Sequence, residues 1–252
     1  MKIVRFQKED EIFWGETDGH VVIKLKGDPF LSIQRGNEDC PLSAVSLLPP
    51  VVPSKIILVG LNYIDHAKEL GMLSPKEPII FLKPTSSLLA HGKSIAYPDA
   101  AERLDYEAEL AVVMARTGRN IPENDVGRFI YGYTCLNDVT ARDIQKRDGQ
   151  WTRAKSFDTF CPLGPWIETD FDPGDKMVTS RLNGDVRQSS STKNFIFSIP
   201  EIVSFISRVM TLNPGDVIST GTPPGVGEMN VSDVIEVEVE GIGTLKNSVV
   251  SG

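Results

Sequence analysis

The chain has 252 residues, of which 40% are hydrophobic and 24% are charged, and its formal net charge at pH 7 is −8. That length fits one large domain or a main domain with a small additional one, and the 21 glycines and 17 prolines, spread among short apolar runs, favour a β-rich fold with many turns. Because the composition is acidic and contains no dense lysine or arginine stripe, nucleic acid and anionic membrane surfaces are poor candidates as partners.

Targeting and redox signals predict a reduced, cytoplasmic protein. The first ten residues are too charged for a signal peptide, and no apolar run approaches the length of a membrane span. The three cysteines have no paired spacing, so we expect no disulfide framework. The three histidines are not paired at helical spacing, which argues against a zinc site built from histidines.

Residues 1–52 are predicted to form a small N-terminal β domain and its linker. Strand-like runs separated by polar turns lie at residues 2–6, 12–15 and 20–25. The segment 47–53 is rich in proline and is predicted to be an extended linker. The main domain is therefore placed at residues 53–252.

The main domain is predicted to open with a buried strand at residues 55–60 and a short helix. We expect Asn62 to cap this helix and Gly71 to end it. His66 and Glu69 are three residues apart and therefore share one helical face. A carboxylate beside an imidazole fixes its tautomer and raises its basicity, as a general base requires. On spacing alone, an ordinary surface pair is the simpler interpretation.

A strand is predicted at residues 78–84, and the stretch 105–113 is predicted to be a strand that enters the core. Because side chains two residues apart on a strand share a face, Glu107 and Glu109 should direct their carboxylates at one point. Two like charges in a half-buried setting repel, and each is costly to desolvate. A hard divalent cation would resolve both problems. The alternative is a solvated strand face with two surface glutamates.

A third oxygen ligand is expected from Asp138, which follows a strand predicted at residues 131–137 and precedes a helix predicted at 140–147. Asp143 is an alternative ligand, although a position inside a helix is less well aimed, and either aspartate could simply cap the helix. Three carboxylates without histidine favour magnesium, manganese or calcium over zinc. Such a site leaves positions for water and for a bidentate oxygen substrate such as a 2-oxo acid.

Other predicted elements are a helix at residues 121–130, a hairpin and a longer helix near residue 200. Asn183 and Gly184 between two strand-like runs give the strongest local hairpin signal in the chain. Ser198 is the expected cap of an amphipathic helix that extends to about residue 210. The apolar stripe of that helix is predicted to consist of Ile202, Phe205, Ile206 and Val209.

The glycine-rich loop at residues 221–227 does not have the spacing of a phosphate-binding loop, and its two prolines remove amide donors. A nucleotide site is therefore rejected. The loop either presents the hydroxyl of Thr222 to a ligand or is a purely structural turn. A serine triad has little support, because no G-x-S-x-G elbow occurs and histidines are few.

Six motifs, in the order found here, resemble the fumarylacetoacetate hydrolase family over the whole main domain. They are GLNYxDHAxE at 60–69, FLKP at 81–84, DYEAEL at 105–110, NDVTARDIQ at 137–145, WTxAKSFDTFCPLGP at 151–165 and GTPxGVG at 221–227. Each motif is weak by itself, but six in the family's order are specific.

This resemblance implies a β-rich α+β fold, a mixed β-sandwich roll with short helices, that is usually homodimeric. It implies magnesium, or manganese or calcium, held by Glu107, Glu109 and Asp138. His66 and Glu69 would lie on a short mobile lid helix and complete a base dyad when substrate binds, and Lys155 would add a fixed positive charge. The positions that match contacts to the carboxylate and oxo groups of the substrate are Arg142, Gln145, Lys155 and Thr222.

The family's reactions are C–C bond hydrolysis in β-diketo acids, decarboxylation, and isomerisation of 2-oxo acids, and all pass through an enolate. We therefore expect a divalent-metal-dependent hydrolase that cleaves a C–C bond in 2,4-dioxo acids of the acylpyruvate type through a metal-stabilised enolate. The short N-terminal segment resembles the branch of acylpyruvate hydrolases and 2-hydroxyhepta-2,4-diene-1,7-dioate isomerases. The enzyme alternative is an isomerase or decarboxylase of an unsaturated 2-oxo dicarboxylic acid in aromatic catabolism, or of oxaloacetate. A catalytically idle 2-oxo-acid-binding protein is the alternative outside catalysis.

Overall fold

The computed structural model describes all residues, 1–252, and is dominated by short β-strands. The first ten strands are β1 Lys2–Lys8, β2 Glu11–Thr17, β3 Val21–Leu25, β4 Arg35–Pro41, β5 Ser46–Leu48, β6 Ile56–Val59, β7 Ile80–Lys83, β8 Leu88–Leu89, β9 Ser94–Tyr97 and β10 Leu104–Tyr106. The others are β11 Ala108–Met114, β12 Ile130–Asn137, β13 Thr140–Ala141, β14 Cys161–Glu168, β15 Met177–Leu182, β16 Asp185–Ser191, β17 Val217–Ser219, β18 Gly227–Met229, β19 Val234–Val239 and β20 Gly243–Ser251. The α-helices are α1 Ile64–Glu69, α2 Arg142–Asp148, α3 Thr152–Lys155 and α4 Ile199–Val209.

One twelve-stranded sheet runs through the molecule and begins with the N-terminal strands. Its order is β4-β3-β2-β1-β14-β12-β11-β17-β6-β7, with β5 added to β1 and β8 added to β14. β1 is antiparallel to β14, and Ile3 lies opposite Ile167. The N-terminal strands therefore extend the sheet of the main domain. The division between residues 52 and 53 stays a prediction.

A second sheet of five strands, β16-β15-β19-β20-β9, packs against the large one. The main core lies between these sheets and α4, and it contains 21 buried residues. A third sheet, β13-β10-β18, is smaller. Parallel pairs such as β17 with β6 occur beside antiparallel ones. The predicted β-rich α+β fold, a mixed β-sandwich roll with short helices, is confirmed.

Strand β11 is buried on both faces, which explains its continuous apolar sequence. Leu110 and Val112 pack in the main core, whereas Ala111 and Val113 pack in a second cluster on the opposite face. Glu109 has the sequence parity of Ala111 and Val113, so its side chain leaves the strand on that second face. The strand thus carries one carboxylate into the interior.

The hairpin and the cap of α4 form as predicted. Asn183 and Gly184 connect β15 to β16, and both have positive φ angles, 54° and 89°, as a tight hairpin turn requires. Ser198 and Glu201 form a capping box at the start of α4. The predicted apolar stripe is wrong at Val209, which is 54% exposed at the last position of the helix. The buried residues of the stripe have the expected i, i+3, i+4, i+7 spacing and are Ile199, Ile202, Val203 and Ile206.

Asn62 does not cap α1, contrary to the prediction. The N-cap residue is Tyr63, without a side-chain hydrogen bond. The amide of Asn62 instead donates to the carbonyl oxygen of Thr220 at 2.8 Å and accepts from the backbone N–H of Phe197 at 2.8 Å. Thr220 and Phe197 are close to Asn62 in the folded chain but distant in sequence, so the residues around Asn62 give no indication of these contacts. Gly71 does end the helical segment, with φ of 64°.

Three other predicted elements are shorter or different. The helix predicted at residues 121–130 is a 3₁₀ segment, Glu123–Phe129. The helix predicted from residue 140 begins at Arg142, because residues 140 and 141 pair with β10. The predicted linker begins inside β5, which pairs with β1. No helix has the length and apolar character needed to span a membrane.

Candidate active site and metal centre

Three buried carboxylates converge where the small sheet meets the large one. Glu107 lies in the break between β10 and β11, Glu109 is the second residue of β11, and Asp138 directly follows β12. One carboxylate oxygen from each of the three lies within 4.8 Å of the others. Asp138 thus joins the two glutamates, whereas Asp143 lies in α2 outside the cluster.

The strand predicted over residues 105–113 is interrupted at Glu107. The backbone N–H of Glu107 donates to the side-chain oxygen of Asn137 at 2.9 Å, and its carbonyl accepts from the N–H of Asp138 at 2.8 Å. The side-chain oxygen of Asn137 therefore takes the place of a backbone acceptor at Glu107. At this residue the chain passes from the small sheet, through β10, to the large sheet, through β11. The two glutamates still converge, although they do not belong to one continuous strand.

Two cations contact the cluster from the cavity side. The Lys155 ammonium, at the end of α3, donates to Glu107 at 2.9 Å and to Asp138 at 2.5 Å. The Arg142 guanidinium donates to Glu107, to Asp105 at 2.8 Å and to Gln145 at 2.6 Å. Both cations are thus already fixed in place by acidic or amide partners.

The two glutamates differ in electrostatic environment although both are buried. Burial disfavours the charged form of Glu107, but the charges of Lys155 and Arg142 outweigh that effect and lower its pKa. Burial raises the pKa of Glu109 well above its usual value, and the charge of Asp138 raises it further. Glu109 accepts hydrogen bonds from the Ser219 hydroxyl and, at 3.0 Å, from the Gly221 N–H. No cationic side chain forms an ion pair with Glu109.

Sequence reasoning assigned no role to Lys83, which forms an ion pair with the third carboxylate. Its ammonium lies 2.7 Å from Asp138 Oδ1, without hydrogen-bond geometry, and donates to the carbonyl oxygens of Val139 and Phe160 at 2.8 and 2.6 Å. Burial lowers the pKa of Lys83, although the charge of Asp138 opposes this. The available signal was a lysine at the end of an otherwise apolar strand, within the FLKP motif.

The predicted dyad is formed on α1. His66 Nδ1 lies 2.8 Å from Glu69 Oε2, and Glu69 also accepts from the Gly225 N–H at 3.1 Å. This arrangement favours the tautomer in which Nδ1 carries the proton and Nε2 is a free acceptor. Asp65 anchors the helix by accepting hydrogen bonds from Ser190 and Asn194. Helix α1 is thus held near its start through Asp65 and at its end through Glu69.

These groups surround a cavity of about 220 Å³. Its polar side is formed by His66, Glu107, Arg142, Gln145, Lys155 and Thr222. Glu109, Asp138 and Glu69 do not line the cavity themselves. The first two belong to the carboxylate cluster with Glu107, and Glu69 contacts His66. All nine side chains that the sequence singled out therefore meet in one region. A more open cleft of about 480 Å³, beside the N-terminal strands, contains none of them.

The hydroxyl of Thr222 is committed to the protein. It donates to the carbonyl oxygen of Ala108 at 2.9 Å and accepts from the Gln188 amide at 2.8 Å. These bonds fix the loop at residues 221–227 against β11. Thr222 thus has a structural role in the loop and also lines the cavity, and its contact with a substrate stays a prediction.

The carboxylate cluster fits a hard divalent cation. Its donors are oxygens only, and it is enclosed. Lys155, Arg142 and Lys83 form ion pairs with Glu107 and Asp138, whereas Glu109 has no cationic partner and repels the other two carboxylates. Magnesium, manganese and calcium prefer such donors, whereas zinc favours nitrogen and sulfur. Burial raises the pKa of Glu109, and the neighbouring charge of Asp138 adds to this effect, so a cation among the three carboxylates would stabilise the charged form of Glu109.

Comparison of the chain with models of protein families identifies the family to which it belongs. The model described as fumarylacetoacetate (FAA) hydrolase C-terminal matches residues 55–250, and the model described as Rv2993c-like, N-terminal matches residues 1–50. The chain belongs to the fumarylacetoacetate hydrolase family. The resemblance carried by the six motifs is thereby confirmed.

Curated relatives in this family come from distant organisms. An uncharacterized protein of Archaeoglobus fulgidus is 58% identical over 212 residues, which are 84% of this chain and 85% of the relative. The mitochondrial oxaloacetate tautomerase Fahd2a of Rattus norvegicus is 42% identical over 222 residues, 83% of this chain and 71% of the relative.

Solved structures of family members have the same fold over their whole length. A 5-carboxymethyl-2-hydroxymuconate delta-isomerase from Mycobacterium smegmatis superposes with a TM-score of 0.94 at 43% identity, covering 100% of both chains. A maleylpyruvate hydrolase from Sphingobium sp. SYK-6, solved with manganese(II) and pyruvate, gives 0.83 at 29% identity and also covers 100% of both. The family relatives of this chain thus include a hydrolase, an isomerase and a tautomerase.

Proposed function

We propose that the protein is a divalent-metal-dependent hydrolase of 2,4-dioxo acids of the acylpyruvate type. The observation that carries this proposal is the position of the His66–Glu69 dyad at the cavity that the carboxylate cluster also reaches through Glu107. A base with an oriented tautomer and a site for a hard cation are the two elements that C–C bond hydrolysis in a 2-oxo acid requires.

The polar side of the cavity supplies the substrate contacts. Arg142 and Gln145 would hold the substrate carboxylate, and Lys155 would lie beside the 2-oxo group as a fixed positive charge. A divalent cation held by Glu107, Glu109 and Asp138, magnesium first among the candidates, would supply a Lewis acid for these same oxygens.

The dyad moves the proton in the hydrolysis. His66 Nε2 accepts a proton from a water molecule, and Glu69 stabilises the resulting imidazolium through Nδ1. The water oxygen attacks the distal carbonyl carbon, and the bond from that carbon to the methylene group breaks. The electron pair remains on the methylene carbon as the enolate of pyruvate, which takes the proton back from His66. The products are pyruvate and one carboxylic acid.

A second candidate is tautomerisation or isomerisation of a 2-oxo acid. It is supported by the 42% identity to a rat oxaloacetate tautomerase and by the isomerase among the solved structures. The same base would remove a carbon-bound proton and return it elsewhere, without a nucleophilic water. Decarboxylation needs enolate stabilisation but no base, and a mere binding protein needs no dyad at all.

The test is turnover of acetylpyruvate and oxaloacetate with and without magnesium, followed by loss of enol absorbance and by pyruvate release. Wild type is compared with His66→Ala and with His20→Ala, which removes an exposed histidine far along the chain. We expect cleavage of acetylpyruvate that requires both the metal and His66, and normal cleavage by His20→Ala.

Other outcomes reassign the reaction. Loss of the enol signal without pyruvate, dependent on His66, assigns tautomerisation. Pyruvate from oxaloacetate alone, unaffected in His66→Ala, assigns decarboxylation. No change in either acid, with magnesium present, contradicts the hydrolase proposal.

A further inference from the structure

The lining of the cavity also includes an apolar wall. It is formed by Leu61, Leu70, Met72, Ile79, Phe81 and Trp151. The rings of Phe81 and Trp151 meet edge to face with centroids 5.2 Å apart. The cavity therefore combines charged groups with an apolar wall, and Phe81 is the member of that wall nearest to Lys155, with its centroid 5.1 Å from the ammonium.

Gly60 permits this apolar wall to close. A Cβ atom at Gly60 would lie 3.2 Å from the ring of Trp151 and 3.6 Å from the Cβ of Ile79, which is tighter than the ring could accept without moving. The indole thus packs directly on the backbone that leaves β6. Close packing is thus found at the Trp151 side of the apolar wall, whereas Leu70, Met72 and Ile79 are partly open to solvent.

The apolar wall offers no cation that a second carboxylate could pair with. Lys155 lies 5.1 Å from the centroid of Phe81, but its charge is the one assigned to the 2-oxo group of the substrate. Arg142, the other cation of the cavity, is assigned to the carboxylate of the head group. A carboxylate placed against Ile79, Phe81 and Trp151 would lose water without gaining a partner.

An adjoining cleft of about 470 Å³ is charged, with Arg103, Asp105 and Lys146 in its wall. This cleft shares five lining residues with the cavity, His66, Leu70, Glu107, Arg142 and Gln145, but neither Lys155 nor Thr222 lines it. Arg103 is paired with Asp105 at 2.7 Å. Because Lys155 lines the cavity and not this cleft, a substrate whose 2-oxo group lies beside Lys155 is placed next to the apolar wall.

We propose that the cavity selects 2-oxo acids whose distal end is uncharged and apolar, with Ile79, Phe81 and Trp151 as specificity-determining residues. The inference rests on the proposed function for its 2-oxo acid head group and adds the class of tail. A volume of about 220 Å³ is below that of sites for drug-sized ligands, so the tail is short.

Two quantities follow from this assignment. Each methylene group enclosed by the wall should tighten binding up to about fourfold, the equivalent of burying one CH₂. A terminal carboxylate in place of a terminal methyl should weaken binding at least about tenfold, because the charge is desolvated without a partner.

The experiment measures binding by calorimetry to the 252-residue chain in magnesium chloride, using acids without a hydrolysable 2,4-dioxo group. The probes are 2-oxobutanoate, 2-oxohexanoate, 2-oxoglutarate and 2-oxoadipate. We expect 2-oxohexanoate to bind tightest, and 2-oxoadipate, of the same chain length, at least about tenfold more weakly. Equal or tighter binding of the dicarboxylic acids, or no binding of any of the four, overturns the proposal.

A charge placed in the wall provides the second arm. Ile79→Arg introduces a cation at a residue that is 43% exposed, and Leu82→Arg introduces the same cation three residues further on, at 48% exposure and outside the cavity. We expect Ile79→Arg to reverse the preference between 2-oxohexanoate and 2-oxoadipate, and Leu82→Arg to leave it unchanged. A preference unaffected by Ile79→Arg, or lost equally in both variants, contradicts the assignment of the wall.

The two proposals fail separately. Absence of acetylpyruvate cleavage, combined with the expected order of binding, removes the hydrolase and keeps the apolar tail site. Cleavage of acetylpyruvate combined with tighter binding of 2-oxoadipate keeps the hydrolase and moves the tail to the charged cleft. In that second case, Lys146→Ala should abolish the preference for the dicarboxylic acid.

Discussion

Lys83 and Asp138 form an ion pair in which neither side chain reaches solvent. The ammonium and the carboxylate oxygen are 2.7 Å apart, and the two side chains are 0% and 1% exposed. Lys83 is also bound to two carbonyl oxygens and does not line the cavity. We therefore regard it as a positioning residue, which holds one carboxylate of the cluster in place from behind.

Replacing Lys83 with methionine should destabilise the protein strongly. The substitution keeps the length of the side chain but leaves Asp138 buried with one counter-charge fewer, and breaking a buried pair costs about 3–5 kcal/mol. Chemical denaturation gives the free energy of unfolding. Lys193→Met, which removes an ammonium from an exposed pair with Asp175, is the control and should leave the midpoint unchanged. Equal midpoints for both variants would contradict the role given to Lys83.

Magnesium should raise the melting temperature through the carboxylate cluster. Ligand that binds only the folded state at a hundredfold excess over its Kd adds about 2.7 kcal/mol of stability. Glu109→Gln removes one anionic donor and should abolish the increase. Asp143→Asn, outside the cluster, should retain it. A normal magnesium response in Glu109→Gln, or its loss in Asp143→Asn, would show that the ion binds elsewhere.

Glu69→Gln should lower kcat and leave KM nearly unchanged. Glu69 contacts His66 and the loop at Gly225 without lining the cavity, so its loss affects the base and not substrate binding. A decrease of about 10²-fold is expected, in the range of general base catalysis. The measurement uses any 2-oxo acid that the wild type turns over, with Glu77→Gln as the control. A change in KM alone would argue that Glu69 acts on substrate binding.

Gly225→Ala should destabilise the loop that holds Glu69. A Cβ at Gly225 would lie 2.2 Å from the carbonyl oxygen of Arg187, and φ at this residue is 93°. We expect a loss of about 1–3 kcal/mol. Gly127→Ala adds the same methyl group where no atom lies within 4 Å and φ is not positive. This control should be neutral or gain about 0.4–1 kcal/mol, and a similar loss in both would refute the steric argument.

Only one of the three cysteines should react with iodoacetamide in the native protein at pH 8. Burial raises the pKa of the Cys135 and Cys161 thiols to about 12, so almost no thiolate forms there. Cys40 is only partly buried. Mass spectrometry should find one label in the native state and three in urea. Rapid labelling of Cys161 without denaturant would indicate that this part of the core opens.

The carboxylate cluster was predictable because its signal is local. Glu107 and Glu109 are two residues apart ahead of an apolar run, and Asp138 follows the next long strand. The break in the strand at Glu107 was not predictable, because the backbone N–H of Glu107 donates there to the side-chain oxygen of a residue thirty positions away, Asn137. Residue spacing thus indicated where the carboxylates meet but not how the backbone brings them there.

Lys83 was missed for a related reason. A single lysine that ends an apolar strand has the pattern of a solvated strand terminus, and its burial depends on Asp138, Val139 and Phe160 packing over it. The same applies to Asn62, whose pattern is that of a helix cap but whose partners, Phe197 and Thr220, lie 135 and 158 positions further along the chain. By contrast, the capping box at Ser198 involves residues three apart and was predicted correctly.

The pairing of β1 with β14 has a consequence for how the chain can be divided. Strand β14 pairs with β12, with β8 at residues 161 and 162, and with β1 at residues 167 and 168, so removing the first fifty residues would open the main-chain donors and acceptors at the C-terminal end of β14 to water. An uncovered edge of this kind recruits strands from other molecules. Ile3 would also leave the apolar cluster that it shares with Ala111 and Val113, on the face of β11 that carries Glu109. The N-terminal strands thus cover this edge. A chain that lacks its first fifty residues should aggregate under conditions in which the 252-residue chain does not.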